Sequence, residues 1–302
     1  MMIQPMADPR MTVVLITRNR RGELLRTLDR MTSLPERPPI IVVDNASSDR
    51  SAEAAGRYPG VRVIKARENL GAVARNFGVR QVSTPYVAFC DDDTWWAPGA
   101  LAKAADLLDG CPGLASVTGR ILVEPGGTED PLTPELRDSP IPAPAWLPGP
   151  ALLSIMAGAS MLRVSAFEEV AGFSPRLWLG GEEELLGIDL ATAGWWMSWA
   201  ADVTVHHAAS TVRDPRQRRA LGIRNTLWTA WLRRPAGGAL RRTVAVLSSV
   251  PRDGASAAAV AKAIAGLPWV VRERRVIPGH VESWLRLLEG PQRTSPARHY
   301  VG

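Results

Sequence analysis

The chain has 302 residues, 46% of them hydrophobic, and a mean hydropathy of −0.04, which suits one large α/β domain with an appended segment or two modest domains. Its first residues lack the basic and apolar regions of a secretory signal, and no run of about 18 apolar residues is uninterrupted, so we predict neither a signal nor a membrane span. Two cysteines are too few for a disulfide framework or a zinc cluster.

The net charge of +6 is unevenly distributed along the chain. Residues 1–212 carry 19 basic and 25 acidic side chains, whereas residues 213–302 carry 17 basic and 5 acidic ones. A positive balance of this size attracts nucleic acid, an anionic membrane surface or a phosphorylated substrate, and it also fits a solvated, arginine-rich surface. Charge alone leaves these alternatives open.

The first 110 residues alternate strand-like apolar runs with helix-like stretches. The predicted strands are Thr12–Thr17, Ile40–Asp44, Val61–Lys65 and Tyr86–Cys90. The predicted helices are Arg21–Met31, Ser48–Gly56, Ala72–Val82 and Gly99–Leu108. This alternation predicts an α/β fold of right-handed βαβ units, with a ligand site at the carboxyl ends of the strands.

Residues 124–150 contain eight prolines and three glycines, so we predict a loop that acts as a functional lid or is disordered. Regular structure is expected to resume in five stretches: Ile155–Leu162, Ser165–Ala171, Gly181–Ala193, Trp195–Trp199 and Val203–Val205. Beyond Asp214, the segments 220–232 and 281–288 are predicted to form amphipathic helices.

Three adjacent carboxylates, Asp91, Asp92 and Asp93, follow the fourth predicted strand. Such anions repel one another unless a cation is bound, and their oxygens suit Mg²⁺ or Mn²⁺ held jointly with substrate phosphates. An extended chain would place Asp91 and Asp93 on one side and Asp92 on the other. The alternative is that these aspartates cap the helix that begins near Pro98.

A second polar segment, Glu68–Gly78, joins a predicted turn to a helix. Gly71 opens this helix, whose free amides would favour an anion, and Arg75 stands one turn further on. An arginine there can bind a carboxylate or a diphosphate through two hydrogen bonds. The alternative is a packing glycine followed by a surface arginine.

These segments together resemble the family 2 glycosyltransferases, whose nucleotide-binding half has the fold known as GT-A. The matching pieces are VVLITRNR (13–20), IIVVDNASSD (40–49), ENLGAVARNFG (68–78), YVAFCDDD (86–93), GASMLRVSAFEEVAGF (158–173), GEEELLGIDLATAGW (181–195) and VTVHH (203–207). The resemblance covers residues 12–207. It implies a mainly parallel, Rossmann-like mixed sheet flanked by helices.

The resemblance also implies roles for matching residues. Thr17 and Arg18 would lie against the nucleotide, and Asp44 would bind its base. Asp91 would approach the ribose and the metal, Asp93 would coordinate the metal, and His206 would close over the diphosphate or metal. We add Arg75, Asp92 and Trp178 to the residues expected to bind the nucleotide-sugar; Trp178 directly precedes a Gly-Gly pair and the acidic run.

The expected catalytic base lies in the run Glu182-Glu183-Glu184, where the family pattern has Glu-Asp. Glu183 takes the place of the aspartate and is our first choice, and Glu182 is the second. The helix N-terminus is expected to keep these carboxylates charged, which suits a base. The alternative is that they are only acids favoured by a helix start.

The activity that the resemblance implies is transfer of a sugar from a UDP-, GDP- or dTDP-sugar to an acceptor hydroxyl or amine, with inversion and with Mn²⁺ or Mg²⁺ as cofactor. The acceptor would be a polysaccharide, a lipid-linked glycan or a small natural product. A non-catalytic nucleotide-sugar-binding protein and a sugar nucleotidyltransferase remain as alternatives. No base-reading motif supports a nucleic-acid partner.

We divide the chain into a flexible N-terminus (1–11), a catalytic domain (12–212) and a basic helical extension (213–302). The catalytic domain comprises a nucleotide-binding half (12–123), the Pro/Gly-rich loop (124–150) and an acceptor half (151–212). Arginines between 213 and 224 adjoin a predicted helix with Trp228 and Trp231, an arrangement that fits either a helix on an anionic membrane surface or a helix packed on the catalytic domain. We favour packing, because the charges are not confined to one helical face. We therefore predict a cytoplasmic protein with at most weak, salt-sensitive contact with the inner face of the membrane.

Overall fold

A computed structural model describes residues 8–208 and 215–295. Most of the segment expected to be a flexible N-terminus, as well as Arg213, lies outside these ranges. Within them, Arg10 pairs with Asp106 at 2.7 Å and Asp109 at 2.6 Å, and Met11 already begins the first strand. Regular structure therefore begins one residue before the predicted boundary.

The first half of the sheet consists of the four predicted strands, each within one residue of its expected bounds. They are β1 (Met11–Thr17), β2 (Ile40–Asp44), β3 (Val61–Lys65) and β4 (Tyr86–Asp91). They run parallel in the order β3-β2-β1-β4, as βαβ units require. The connecting helices are α1 (Arg21–Thr32), α2 (Ser51–Ala55) and α3 (Ala74–Val79), the last preceded by a 3₁₀ turn at Gly71–Val73.

The second half of the sheet mixes parallel and antiparallel pairs. Its strands are β5 (Thr94–Trp96), β6 (Leu114–Val123), β7 (Thr128–Glu129), β8 (Ala151–Leu152), β9 (Ser160–Arg163) and β10 (Trp196–His207). The order continues from β4 as β9-β6-β10-β5, with β9 antiparallel to both neighbours and β10 parallel to β6. The helices of this half are α4 (Ala100–Gly110), α5 (Thr133–Arg137), α6 (Val164–Glu169) and α7 (Glu182–Thr192).

Two predictions about this half are wrong. The segment 124–150 is not loop throughout, because it contains β7, which pairs with β6, and the short helix α5. The apolar stretches at 195–199 and 203–205 belong, apart from Trp195, to the single strand β10, whose pairing with β6 shifts between Ala200 and Thr204. A bulge of this kind interrupts the alternation along a strand, so one long strand looks like two short ones in the sequence.

The side chains of the central strands alternate between two apolar clusters, one on each face of the sheet. Val13 and Leu15 pack with α1 and α4, whereas Val14 packs on the opposite face with α3, α6 and α7. Both faces are covered, which explains the nearly continuous apolar runs of these strands. The buried faces leave the strand ends as the place where polar side chains gather.

Five helices make up the C-terminal part of the described chain. They are α8 (Pro215–Arg233), α9 (Ala236–Ser249), α10 (Gly254–Ala265), α11 (Leu267–Arg272) and α12 (Gly279–Thr294). Ile223 and Leu227 of α8 pack against Leu177 and Leu185 of the catalytic part in a third apolar cluster. In the described residues, no helix combines the length and the apolar character needed to cross a bilayer.

The buried ion pair of Arg234 with Glu282 ties α12 to the end of α8, with a nitrogen–oxygen distance of 2.9 Å. Both side chains are almost fully buried. Val281 and Leu285 of α12 join the apolar cluster that also covers the sheet. The C-terminal helices therefore pack on the catalytic domain over both apolar and ionic contacts.

Candidate active site

A cleft of about 580 Å³ opens at the carboxyl ends of β1, β2 and β4. This volume falls within the roughly 300–1,000 Å³ of small-molecule sites. The predicted site residues that line it are Thr17, Arg18, Arg75, Asp91, Asp92, Asp93, Trp178, Glu182 and Glu183. Asp44 and His206 are not part of this lining. The cleft thus brings together side chains from distant parts of the catalytic domain.

The three aspartates border the cleft together, so the predicted alternation of their sides is wrong. β4 ends at Asp91, and the chain turns at Asp92 and Asp93 before β5 begins at Thr94. An extended chain alternates its side chains, whereas a turn does not. The main chain at Gly158 also lies close to Asp91. A Cβ atom at this position would be 2.9 Å from an Asp91 carboxylate oxygen.

Arg20 holds two of these carboxylates and was not among the predicted site residues. Its Nη1 donates to Asp92 Oδ1 at 2.8 Å and to Asp93 Oδ2 at 3.0 Å. Thr17 donates its hydroxyl hydrogen to Asp92 Oδ2 at 2.9 Å. Burial raises the pKa of Asp92 to about 6, although the charge of Arg20 opposes that shift. The signal for Arg20 was its place in the VVLITRNR segment, three residues beyond the end of β1.

Arg75 is buried and forms an ion pair with Asp91. We expected Arg75 to bind either a carboxylate or a diphosphate, and in the structure it binds the carboxylate of Asp91. The prediction that the amides at Gly71 are free for an anion is wrong, however. The N–H of Gly71 donates to Asn69 Oδ1 at 3.0 Å, and the N–H of Ala72 donates to the Trp178 carbonyl at 2.8 Å.

The Trp178 loop packs directly on Gly71. A side chain at Gly71, where φ is +60°, would come within 2.3 Å of the Trp178 carbonyl oxygen, so only glycine allows this approach. The indole N–H of Trp178 donates to the Asn69 carbonyl at 2.9 Å. These contacts place Trp178 at the wall of the cleft, whereas Trp96 and Trp199 are buried in the core.

Asp44 lies at the end of β2 and is buried. Its Oδ2 accepts from the Ser47 N–H at 3.0 Å, while its Oδ1 has no hydrogen-bond partner in the described part of the chain. Asn45, which the sequence reasoning missed, lines the cleft in its place and donates to the Gly71 carbonyl at 3.2 Å. The IIVVDNASSD segment contained both residues, and only the fold distinguishes their orientations.

Glu182 and Glu183 form the first turn of α7, after Gly181 in the left-handed conformation. The Ala157 N–H donates to Glu183 Oε1, and Glu182 is buried. Burial, together with the neighbouring charge of Glu182, raises the pKa of Glu183 to about 7, and burial also raises that of Glu182. The expectation that the helix start keeps both charged is therefore wrong in direction, because desolvation outweighs the helix dipole.

His207, rather than His206, lies at the cleft, and this corrects the predicted histidine. His207 Nε2 is 3.8 Å from Asp93 Oδ1, and its Nδ1 is 4.0 Å from Asp130 Oδ2. The His206 ring stacks on Trp95 with centroids 5.4 Å apart, and its Nδ1 lies 2.8 Å from Glu124 Oε1. Neighbouring residues of a strand point to opposite faces, so only one of the two histidines can reach the cleft.

Two segments outside the pieces that resemble family 2 glycosyltransferases also reach the cleft. Asp130 and Leu132 come from the segment 124–150, and Gln217, Arg218 and Leu221 come from α8. None of these residues was among the predicted site residues, although a functional lid was one of the two roles predicted for the segment 124–150. Their contribution means that the Pro/Gly-rich segment and the basic extension each form part of the cleft wall.

Comparison with known proteins agrees with this geometry. Residues 12–171 match the sequence profile of Glycosyl transferase family 2. The chain is 28% identical over 282 residues to N-acetylglucosaminyl-diphospho-decaprenol L-rhamnosyltransferase of Mycobacterium tuberculosis, an alignment that covers 78% of this chain and 91% of that protein.

Solved structures show the same fold at lower identity. The mannosyltransferase PcManGT of Pyrobaculum calidifontis, in complex with GDP-Man and Mn²⁺, superposes with a TM-score of 0.58 at 18% identity, covering 97% of this chain and 89% of that one. GalNAc-T7 with UDP, GalNAc and Mn²⁺ gives a TM-score of 0.64 at 13% identity, covering 95% and 58%.

These likenesses confirm the predicted GT-A fold. The matched profile spans more than half of the chain and contains the strand ends, the aspartates and the Gly71 turn that form one side of the cleft. This protein belongs to glycosyl transferase family 2 and is a glycosyltransferase.

Proposed function

We propose that this enzyme transfers a sugar from a nucleoside diphosphate sugar to an acceptor hydroxyl, with inversion at the anomeric carbon and with Glu183 as the general base. The observation that carries the proposal is that one cleft is lined both by the carboxylates Asp91–Asp93 and by Glu183. A donor diphosphate with its cation fits the first group, and an acceptor hydroxyl fits the second.

We place the nucleotide of the donor at the ends of β1 and β2, where Thr17, Arg18 and Asn45 line the cleft. Asp44 precedes Asn45 just outside this lining, and its buried Oδ1 has no hydrogen-bond partner among the described residues, so we propose that it accepts a hydrogen bond from the nucleotide base. The complexes of related folds with GDP-Man and with UDP support a nucleoside diphosphate sugar. UDP-, GDP- and dTDP-sugars all remain candidates.

The donor atoms at the cleft fit a divalent cation. Among the described residues, no group of three or more His, Cys, Asp or Glu side chains is arranged to hold a metal ion alone. Mg²⁺ and Mn²⁺, however, commonly bind one or two carboxylates together with substrate phosphates. Asp91 and Asp93 would hold the ion, with His207 beside Asp93. When bound, it would neutralise charge on the departing diphosphate.

Catalysis by the residues of this chain then needs one proton transfer and one displacement. Glu183 accepts the proton of the acceptor hydroxyl, and its pKa of about 7 suits a base that works near neutral pH. The acceptor oxygen forms the new bond to the anomeric carbon as the bond to the diphosphate oxygen breaks. The nucleoside diphosphate leaves, and no covalent enzyme intermediate forms.

We propose a lipid-linked glycan as the acceptor. The support is the similarity, over most of both chains, to a transferase whose name specifies an N-acetylglucosaminyl-diphospho-decaprenol acceptor and an L-rhamnosyl group. Arg218 of α8 places a cation at the cleft wall, where a diphosphate-linked acceptor would approach. A polysaccharide and a small natural product are the competing acceptor classes.

The decisive experiment begins with thermal denaturation of the full-length protein with UDP, GDP and dTDP and their sugars, with and without Mn²⁺. A ligand that binds only the folded state raises the denaturation temperature in proportion to its affinity. The donor so identified is then tested for transfer to a short-chain polyprenyl-diphosphate sugar and to a free oligosaccharide. Metal-dependent transfer only to the lipid-linked acceptor supports the proposal, whereas donor hydrolysis without transfer to either contradicts it.

A further inference from the structure

Two stripes of large apolar side chains are exposed on the C-terminal helices. On α9, Leu240, Val244 and Leu247 have relative exposures of 57%, 59% and 47%. On α10 and α11, Ile264 and Val271 are exposed to 61% and 70%. Residues three or four positions apart share a helix face, so Leu240, Val244 and Leu247 form one stripe along α9. The second stripe consists of one side chain from each of two successive helices, Ile264 of α10 and Val271 of α11.

Both stripes stand on helices that pack against α8. The indole N–H of Trp231 donates to Thr243 Oγ1 of α9 at 3.0 Å, and that of Trp228 donates to the Ala263 carbonyl of α10 at 2.9 Å. Residues three apart on a helix project within about 60° of each other. Thus α9 and α10 rest on adjoining faces of α8. On α9, Leu240 and Leu247 project within about 60° of Thr243, so the exposed stripe borders the side of the helix that contacts α8.

The charge around these stripes is strongly positive. Residues 236–279 contain seven basic and two acidic side chains. The two acidic ones are engaged, Asp253 with Arg219 and Glu273 with Arg176, and Arg241 is paired with Glu282 and Glu289 of α12. Arg252 and Lys262 are exposed, and Lys262 lies about 160° around α10 from Ile264, so cationic side chains flank the apolar ones on the exposed side of these helices.

We propose that the outer faces of α9, α10 and α11, here called the α9–α11 face, bind an anionic lipid bilayer. Helices with exposed apolar and basic side chains bind such interfaces through apolar burial and charge attraction together. α8 itself is not part of this face, because Trp228 is buried beneath α10, as the favoured prediction of a packed helix required. Leu221 of α8 lines the cleft seven residues before Trp228, about 10 Å along the helix.

The α9–α11 face is connected to the cleft through α8, which packs under α10 at Trp228 and lines the cleft at Leu221. The proposal does not depend on the identity of the donor or acceptor, since it follows from the exposed side chains and their charge. The competing occupant of the α9–α11 face is a second copy of the chain. Charge favours the bilayer, because two strongly positive faces repel each other whereas an anionic membrane attracts them.

The test is co-sedimentation of the full-length protein with vesicles of phosphatidylcholine, with or without phosphatidylglycerol. We expect sedimentation only with the anionic vesicles, weakened by salt. Val244→Asp and Val271→Asp should each reduce binding at least about tenfold, because the carboxylate removes an apolar side chain from the bilayer contact and repels the anionic lipid. The matched control Phe77→Asp, at an exposed apolar position of α3, should bind like the wild type.

The charge contribution is tested by Arg252→Gln combined with Lys262→Gln. Each basic residue near an anionic surface strengthens binding about fivefold, so the double variant should bind about 30-fold more weakly. Circular dichroism should show each variant folded, since all these positions are exposed. Absence of sedimentation, equal binding to neutral vesicles, or wild-type binding by both Asp variants would overturn the proposal. Light scattering that shows a dimer lost in Val271→Asp would overturn it in favour of a second copy.

Discussion

Asn225 of α8 donates from its side-chain Nδ2 to the main-chain carbonyl of Leu177 at 2.8 Å. The same amide lies 3.0 Å from the Leu179 carbonyl and also contacts that of Gly180, and the side chain is fully buried. These carbonyls belong to the loop that carries Trp178 and leads into Glu182. A residue of the C-terminal part therefore holds the loop that positions the proposed base.

Replacing Asn225 with Leu should lower both stability and kcat. Buried carbonyls lose their donor, which costs about 1–3 kcal/mol of unfolding free energy, and the loop before Glu183 loosens. Thr229→Val is the matched control, because Thr229 is buried on the same helix and its hydroxyl has no hydrogen-bond partner in the described residues. Chemical denaturation and steady-state kinetics measure both effects. Equal kcat in the two variants would show that the loop is positioned without Asn225.

Glu183→Gln should lower kcat by about 10²- to 10⁴-fold and leave donor affinity nearly unchanged. Glutamine keeps the size of the side chain and removes its ability to accept the acceptor proton. Glu184→Gln serves as the control from the same helix turn, because Glu184 does not line the cleft. A larger loss in Glu182→Gln would transfer the role of base to Glu182, and no loss in either would remove both from the mechanism.

The raised pKa of Glu183 predicts two pH dependences. Because the carboxylate is the active form, kcat should rise with pH through an apparent pKa near 7. The folded state holds this proton more tightly than the unfolded state, whose pKa is near the ordinary value of 4.5, so the free energy of unfolding should fall between about pH 4.5 and 7. Glu183→Gln should lack that fall. A pH-independent stability difference between the two proteins would contradict the burial argument.

His207→Ala should impair metal-dependent transfer far more than His206→Ala. His207 adjoins Asp93, which is a proposed metal ligand. Loss of a residue that contacts a metal ligand typically weakens metal affinity roughly 10- to 100-fold. His206 is held by Trp95 and Glu124, away from the cleft, so its loss should mainly reduce stability. Titration of activity with Mn²⁺ distinguishes the two variants. If His206→Ala impairs transfer more than His207→Ala, the histidine at the metal is His206, as the sequence predicted.

Asp93→Ala should abolish transfer and leave the fold intact. Loss of cation binding and of leaving-group stabilisation should cost about three orders of magnitude in rate, and excess chelator should inactivate the wild type similarly. Asp202→Ala, at an exposed position on β10, is the control. Near-normal transfer by Asp93→Ala, or full wild-type activity in chelator, would remove the metal from the proposed mechanism.

Much of the catalytic half could be predicted because its signals are local. The runs that became β1, β2 and β4 are almost entirely apolar, and the polar residues Thr17 and Asp91 stand where two of those runs end. Parallel strands joined by helices bring such ends to one edge of a sheet. The acidic run after Gly181 likewise starts a helix, as its composition predicted. The residues expected to bind the nucleotide-sugar therefore gather at one cleft, with the exception of Asp44.

Long-range contacts decided what local patterns could not. His206 and His207 are the same type of residue, so the sequence alone does not distinguish them. The shift in the pairing of β10 after Ala200 helps to set which of the two faces the cleft. Arg20, Asn45 and Asn225 acquire their contacts from segments distant in the chain. The amides at Gly71 are occupied only because the Trp178 loop, more than a hundred residues later, packs there.

By itself the sequence determined the family, the βαβ order and the acidic character of the cleft, because periodicity and motif spacing express local backbone preference and burial. Only the tertiary structure decided the ionisation of Glu183, the choice of His207 and the part that α8 takes in the cleft wall. Those depend on desolvation, strand register and packing between distant segments, and each of these is a property of the assembled fold.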